Sequence, residues 1–167
     1  QPRLDGEELR LAWTTPFFPS AHDGETLYYA ANRVFKSENR GEDWQVVSDN
    51  LISDRDIPGV RYSAITTMAE SPLKAGLLYA GSDRADLWIT KDDGKTWTDI
   101  RGQLPHRSLT RVHASPHNDQ RLFVTQSGAG LDDFAPYVFR SDDQGQTWTN
   151  IGDGLPLDPV NVIVEDH

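Results

Sequence analysis

The chain has 167 residues, 37% of them hydrophobic, with five tryptophans, five tyrosines and six phenylalanines, enough apolar material for the core of one ordinary domain and too much for a disordered chain. Acidic residues outnumber basic ones 26 to 16, giving a formal charge of -10, which argues against nonspecific binding to nucleic acid or an anionic membrane and leaves cations, basic peptides and neutral sugars open as partners. Cysteine is absent, which excludes disulfides, zinc-thiolate sites and cysteine nucleophiles.

The opening QPRLDGEELR lacks the charged and apolar regions of a signal peptide and does not start with methionine, so the sequence reads as a processed or excised piece. No apolar run nears the roughly 18 residues of a membrane span. Short runs rich in aromatic and branched residues follow, bounded by Gly, Pro, Asn or Asp, and predict strands. The first two, LYYA (27–30) and VFKS (34–37), lead straight into SENRGEDW (37–44), whose tryptophan opens another short strand. The order then recurs: a strand over 64–68, LLYA (77–80), LWIT (87–90) and TKDDGKTW (90–97). It recurs again: a strand over 111–114, LFVT (122–125), YVFR (137–140) and SDDQGQTW (141–148), and residues 160–164 begin another strand. A weaker landmark precedes each middle run, as SAHDGE from Ser20, SPLKAG from Ser71 and SPHNDQ from Ser115.

The three octets lie 53 and 51 residues apart, counted from Ser37 to Thr90 and Thr90 to Ser141. A repeat of that period, with four short strands and no helix, is one propeller blade. The predicted fold is therefore an all-β, partial β-propeller of one domain, with blades over 10–48, 63–101 and 110–152 and the first strand of a fourth within 160–167. Three blades leave unpaired edges, so the chain is expected to be a fragment, or a unit completed by another chain.

Each octet stands between two strands and suits a tight reversal. Gly41, Gly94 and Gly145 permit positive φ. Asn39, Asp92 and Asp143, with the hydroxyls of Ser37, Thr90 and Ser141, accept bonds from turn N–H groups. Trp44, Trp97 and Trp148 are expected to fold back over the turn. The pattern S/T-x-D/N-x-G-x-T/D-W resembles the Asp-box, or BNR repeat, of sialidases and sortilin-type receptors, where the box is a structural turn. Asp43 departs from it where the other copies have Thr96 and Thr147. NRVFKSENRGEDW, AESPLKAGLLYAG, DDFAPYVFRSDDQGQTW and PVNVIVED resemble segments of exported bacterial proteins of the sortilin-like, BNR-repeat glycosyl hydrolase type, which implies a periplasmic or extracellular location. An EF-hand reading of the octet fails, since D-x-[DN]-x-[DN]-G and its later glutamate are missing.

Scaffold repeats; specialised segments need not. From the aromatic strand to the octet the distance is 9 residues (Tyr28 to Ser37), then 11 (Tyr79 to Thr90), then 18 (Phe123 to Ser141), which marks SGAGLDDFAP as an insertion in blade three. From octet tryptophan to next landmark it is 27 (Trp44 to Ser71), then 18 (Trp97 to Ser115), with the extra residues in DNLISDRDIPGVR, 49–61. On the rim opposite the octets, loops are expected to carry binding candidates: Arg33, Arg61, Tyr62, Asp83, Arg84, Asp86, His106, Arg107, Arg111, Asp132, Asp133 and Phe134. The histidines lack metal-ligand spacing, Asp56-Ile57-Pro58 only mimics the Arg-Ile-Pro element of sialidases, and no Gly-rich phosphate loop precedes a helix. No metal or cofactor is expected. Two readings stand: a binding or assembly module for a protein or peptide partner, or part of a glycoside hydrolase in which Asp132 or Asp133 faces a second carboxylate.

Overall fold

The computed structural model describes residues 2, 6, 8–55, 57, 60 and 62–166. Arg61, together with Asp56 and Pro58 of the Asp-Ile-Pro element, lies outside the described residues. Three four-stranded antiparallel sheets follow one another along the chain, each in sequential strand order. The first holds β1 (Phe17–Pro19), β2 (Leu27–Ala30), β3 (Val34–Ser37) and β4 (Gln45–Val46). The second holds β5 (Ile65–Glu70), β6 (Leu78–Ser82), β7 (Leu87–Thr90) and β8 (Thr98–Asp99), and the third β9 (Ser108–Ala114), β10 (Leu122–Gly128), β11 (Asp133–Ser141) and β12 (Thr149–Asn150). First strands lie innermost: Thr66 Oγ1 donates to Leu109 O (2.7 Å) and Val112 N to Thr67 Oγ1 (2.9 Å), tying β5 to β9.

The core sits between sheets, and strand alternation divides it. On β6, Leu78 and Ala80 face the first sheet, packing with Tyr28, Val34, Leu51 and Ile65. Tyr79 and neighbouring Leu77 face the third, among Leu87, Ile89, Ile100, Leu109, Leu122 and Val124. All five β6 residues are buried, because this blade is covered on both sides. In β2 only alternate residues are buried, because the first sheet is covered on one side.

Two expectations change. SGAGLDDFAP is not a loop: β10 and β11 run on as a long hairpin, closed by a 3₁₀ turn (Ala129–Leu131) and kinked by a register shift between Gln126 and Gly128. Residues 160–164 are not a strand, since among the described residues nothing pairs with them. They still lie where a first strand belongs. Ser20 Oγ donates to Glu70 Oε2 (2.8 Å) and His22 Nε2 meets Ser71 O (2.8 Å) at the joint of blades one and two. The same contacts recur from blade three to the tail, as Ser115 Oγ to Glu165 Oε2 and His117 Nε2 to Asp166 O (2.6 Å). The tail is anchored in the place of an inner strand without being one.

Each octet is a turn with two successive positive-φ residues: Arg40 and Gly41 (59° and 90°), Asp93 and Gly94 (62° and 88°), Gln144 and Gly145 (57° and 88°). The Ser or Thr hydroxyl accepts the glycine N–H at 2.8–2.9 Å. The Asn or Asp at the third position accepts the N–H four residues on, at 2.8–2.9 Å. The hydroxyls of Thr96 and Thr147 also donate to Asp92 and Asp143 (2.7 and 2.6 Å). These bonds favour the ionised form, bringing Asp92 down to about 2 and lowering Asp143. A carboxylate depressed by folding stabilises the fold above its unfolded pKa, near 4, and loses that contribution as pH falls towards 2. Stability should therefore decline between pH 4 and pH 2, and less steeply in Asp92→Asn; urea midpoints across that window measure it, and equal slopes in variant and parent refute it. The first octet has Asn39, which carries no charge, in that place.

Candidate functional site

The β6–β7 loop carries three of the rim candidates, and all three hold the chain that joins blades one and two. Asp83, 5% exposed, accepts the backbone N–H groups of Tyr62 (3.0 Å), Ser63 (2.9 Å) and Ala64 (3.0 Å). Asp86, 1% exposed, accepts from Ser82 Oγ (2.8 Å), Ser53 N (3.1 Å) and Arg55 Nη1 (2.5 Å). Arg84 donates to Ser63 Oγ (2.8 Å) and to Arg55 O. Trp88 Nε1 reaches Leu51 O (2.8 Å). The long connector of residues 49–61 is thereby fastened at both ends to blade two.

The insertion candidates divide. Asp133 accepts from Arg107 Nε (2.9 Å), Arg107 Nη2 (2.7 Å) and the Tyr137 hydroxyl (2.6 Å), and the guanidinium lies 5.7 Å over the Tyr137 ring. Tyr137 and Arg107 bring the Asp133 carboxyl down to about 2. Such a group is an anchor for the turn end of the long hairpin; a glycosidase acid needs the opposite perturbation. Asp132 is exposed at the end of the 3₁₀ turn, in a left-handed conformation with φ 55°. Phe134 is 49% exposed. His106 is exposed on the blade two to three connector. Arg33 donates to Ser48 O (3.2 Å) and lies 3.7 Å from Asp49.

Tyr62 and Arg111 share one groove. They line a groove of about 470 Å³ beside the inner strands β5 and β9, with Val60, Thr66, Asp83, Leu109, Thr110, Asn161 and Val162 among its other walls. Thr110 Oγ1 donates to Val160 O (3.0 Å), so the tail forms one wall. Arg111 is exposed and, among the described residues, has no ion-pair partner, whereas Arg55, Arg107 and Arg121 are each paired with a carboxylate. The Asp83 charge in the same groove is taken up by three N–H groups. Thr66, Asn161 and Val162 were not among the sequence candidates. Thr66 is marked only by its place on inner strand β5, and Asn161 and Val162 only by lying where a next first strand belongs, which no motif marks. The Ser20–His22–Glu70 latch was also missed, although its trace is in the sequence: SAHDG and SPHND keep the histidine and are followed a repeat later by Glu70 and Glu165, while SPLKA has Leu73 and is followed by Ala114.

Among the described residues no helix is long and apolar enough to cross a membrane, and no group of three His, Cys, Asp or Glu is placed to hold a metal ion. The sheets define an all-β propeller array with an open ring. A stretch of 101 residues, 60% of this chain, is 26% identical to vacuolar protein sorting/targeting protein 10 of Emericella nidulans (strain FGSC A4), and spans 6% of that protein. An ancestral GH74 enzyme shares the fold with a TM-score of 0.63 at 17% identity, over 86% of this chain and 19% of the other. The structure of YCF48 bound to D1 peptide does so with a TM-score of 0.57 at 16% identity, over 90% and 45%. No protein-family model matches the chain. It spans less than half the length of each of these proteins, and at such identities the likeness to solved structures carries the fold alone.

Proposed function

We propose that the chain is a segment of an exported propeller, with Asp-box turns as blade punctuation, that binds a protein or peptide partner along the groove between β5 and β9. The observation that carries this is Arg111: a guanidinium with no ion-pair partner among the described residues, lining a concave site in a chain of net charge -10, while Arg84 of the nearby β6–β7 loop is engaged in holding the connector. An extended peptide suits the site's chemistry. Its carboxylate pairs with Arg111 in charge-assisted hydrogen bonds, its apolar side chains lie on Val60, Leu109 and Val162, and Thr66, Thr110 and Asn161 offer polar contacts. The peptide in the YCF48 complex lends support to this mode of use.

Binding of fluorescent extended peptides with free carboxylates, compared with their amidated forms, tests the reading. Free carboxylates should bind more tightly, and Arg111→Ala should weaken them by about tenfold or more without moving the unfolding midpoint. Equal binding of both peptide forms, or no effect of Arg111→Ala, overturns it. Nothing in the groove favours a carbohydrate. Release of reducing sugar from xyloglucan that disappears in Asp133→Asn would restore the glycoside hydrolase reading.

A further inference from the structure

Residues 160–166 lie against blade three and are held there through its side chains. Thr110 Oγ1 donates to Val160 O (3.0 Å), Ser115 Oγ and Arg121 Nη1 (2.9 Å) donate to the Glu165 carboxylate, and His117 Nε2 meets Asp166 O (2.6 Å). A fifth bond runs the other way: the Glu165 backbone N–H donates to His113 Nε2 at 3.1 Å. The strand in the corresponding place of blade two, β5, is tied to β6 by a backbone ladder from Ile65 to Glu70.

These bonds fix the state of both rings. A backbone N–H can only donate, so His113 Nε2 carries a lone pair and the ring is neutral, with its proton on Nδ1. A carbonyl can only accept, so His117 Nε2 carries a proton, as it does in the cation as well. Protonation therefore spares the His117 bond and abolishes the His113 bond, setting two donors face to face. His113 is also a position that does not repeat. Counted back from the landmark serines Ser20, Ser71 and Ser115, its counterparts are Phe18 and Ala69.

Burial disfavours the His113 imidazolium, Glu165 of the tail favours it, and Arg111 on the same strand opposes it. From β10 the ring meets uncharged Phe123 at 6.2 Å, and one strand further out Arg140 is paired with Asp142 (2.9 Å). The balance holds His113 below the ordinary histidine value of 6.5. A base depressed by folding supports the contact fully above that ordinary value, and its support is lost as pH falls through the depressed one. Against the effect of burial, Ser115 and Arg121 hold the Glu165 carboxyl below the ordinary carboxylate value. Glu165 thus stays ionised while His113 titrates.

We propose that His113 is the pin of a pH-sensitive strap: protonation at Nε2 frees residues 160–166 from blade three and takes away the Asn161 and Val162 wall of the groove. The proton comes from solvent, and the Glu165 N–H is left to water. Control of the groove rests on the peptide-binding reading; the strap itself does not.

Hydrogen exchange of the intact chain by ¹⁵N NMR tests it, with each rate referred to that of unstructured chain at the same pH. Protection of the Glu165 amide should fall about tenfold for each pH unit below the His113 midpoint, the slope of one linked proton. The midpoint read from the His113 ring nitrogens should coincide with that loss. In His113→Gln, whose amide oxygen accepts an N–H at every pH, protection should stay level from about pH 7.5 to 5. Peptide affinity should follow the Glu165 profile in the parent and stay level in the variant. Equal protection across that range in the parent overturns the strap, as does a ring midpoint apart from the loss, or the same loss in His113→Gln. Tail release with unchanged peptide affinity overturns control of the groove. No peptide binding at any pH overturns the groove reading, while the Glu165 amide still decides the strap.

Discussion

Gly145→Ala should destabilise the protein by about 2–5 kcal/mol, and Gly41→Ala by only about 1–2 kcal/mol, although the two glycines occupy the same turn position. Both have φ near 90°, so any L side chain incurs the same left-handed penalty of about 1–2 kcal/mol. The difference is tertiary. A methyl at Gly145 lands 2.6 Å from Ile100 Cδ1 and 2.8 Å from Ile100 Cβ, in the interface that buries Ile100, Leu109 and Phe139. Relieving it means forcing blade two away from blade three, at the overpacking cost of about 1–3 kcal/mol. At Gly41 there is room. Equilibrium urea unfolding measures both variants at once; equal losses would mean that the turn backbone decides the effect and that the joint contributes nothing. Gly94→Ala, against Val47 O at 2.7 Å, should side with Gly145.

The sequence made the blades legible because the octet repeats a local interaction. Ser37, Asn39 and Gly41 bond within eight residues of chain, and their counterparts do the same, so residue type and spacing suffice to predict the turn. What Trp97 and Trp148 do was not legible. Their indoles cross to carbonyls 50 and 48 residues earlier, while Trp44, with no blade before it among the described residues, does fold over its own turn. The hairpin in blade three was hidden because SGAG reads as a loop; Gly128 is a strand residue paired with Asp133, at a place where Asp133 and Arg107 leave no room for a side chain, at 2.8–2.9 Å from where a Cβ would be. The groove was half legible. Tyr62 and Arg111 stood out as polar or aromatic rim residues, but Thr66 and Val162 join them only through the packing of β5 and the tail beside β9. Asp83 and Asp86 looked like binding groups because acidic loop residues usually face water, and nothing in the sequence says which donors lie 19 to 33 residues before them.

Asp83→Ala should be the most damaging single change at the candidate site, at about 3–5 kcal/mol. Of the three N–H groups that Asp83 accepts, that of Ala64 is wholly buried, while Tyr62 and Ser63 border solvent. Truncation leaves the Ala64 donor without a partner, at about 1–3 kcal/mol, and removes charge-assisted bonds to the other two worth about 1.5–3 kcal/mol each in full, discounted by rehydration. Asp83→Asn keeps one acceptor oxygen and should fall between the variant and the parent. The consequence for binding follows from the same bonds, because the Tyr62 and Ser63 amides fix the end of the 49–61 connector, and Tyr62 with Val60 forms a wall of the groove. Peptide affinity should therefore drop in Asp83→Asn even under conditions where circular dichroism shows it fully folded, whereas Asp133→Asn, which loosens the turn end of the hairpin around Arg107 and Tyr137, should leave that affinity unchanged. A folded Asp83→Asn that binds like the parent would separate the connector from the site and move the groove's recognition onto Arg111 alone.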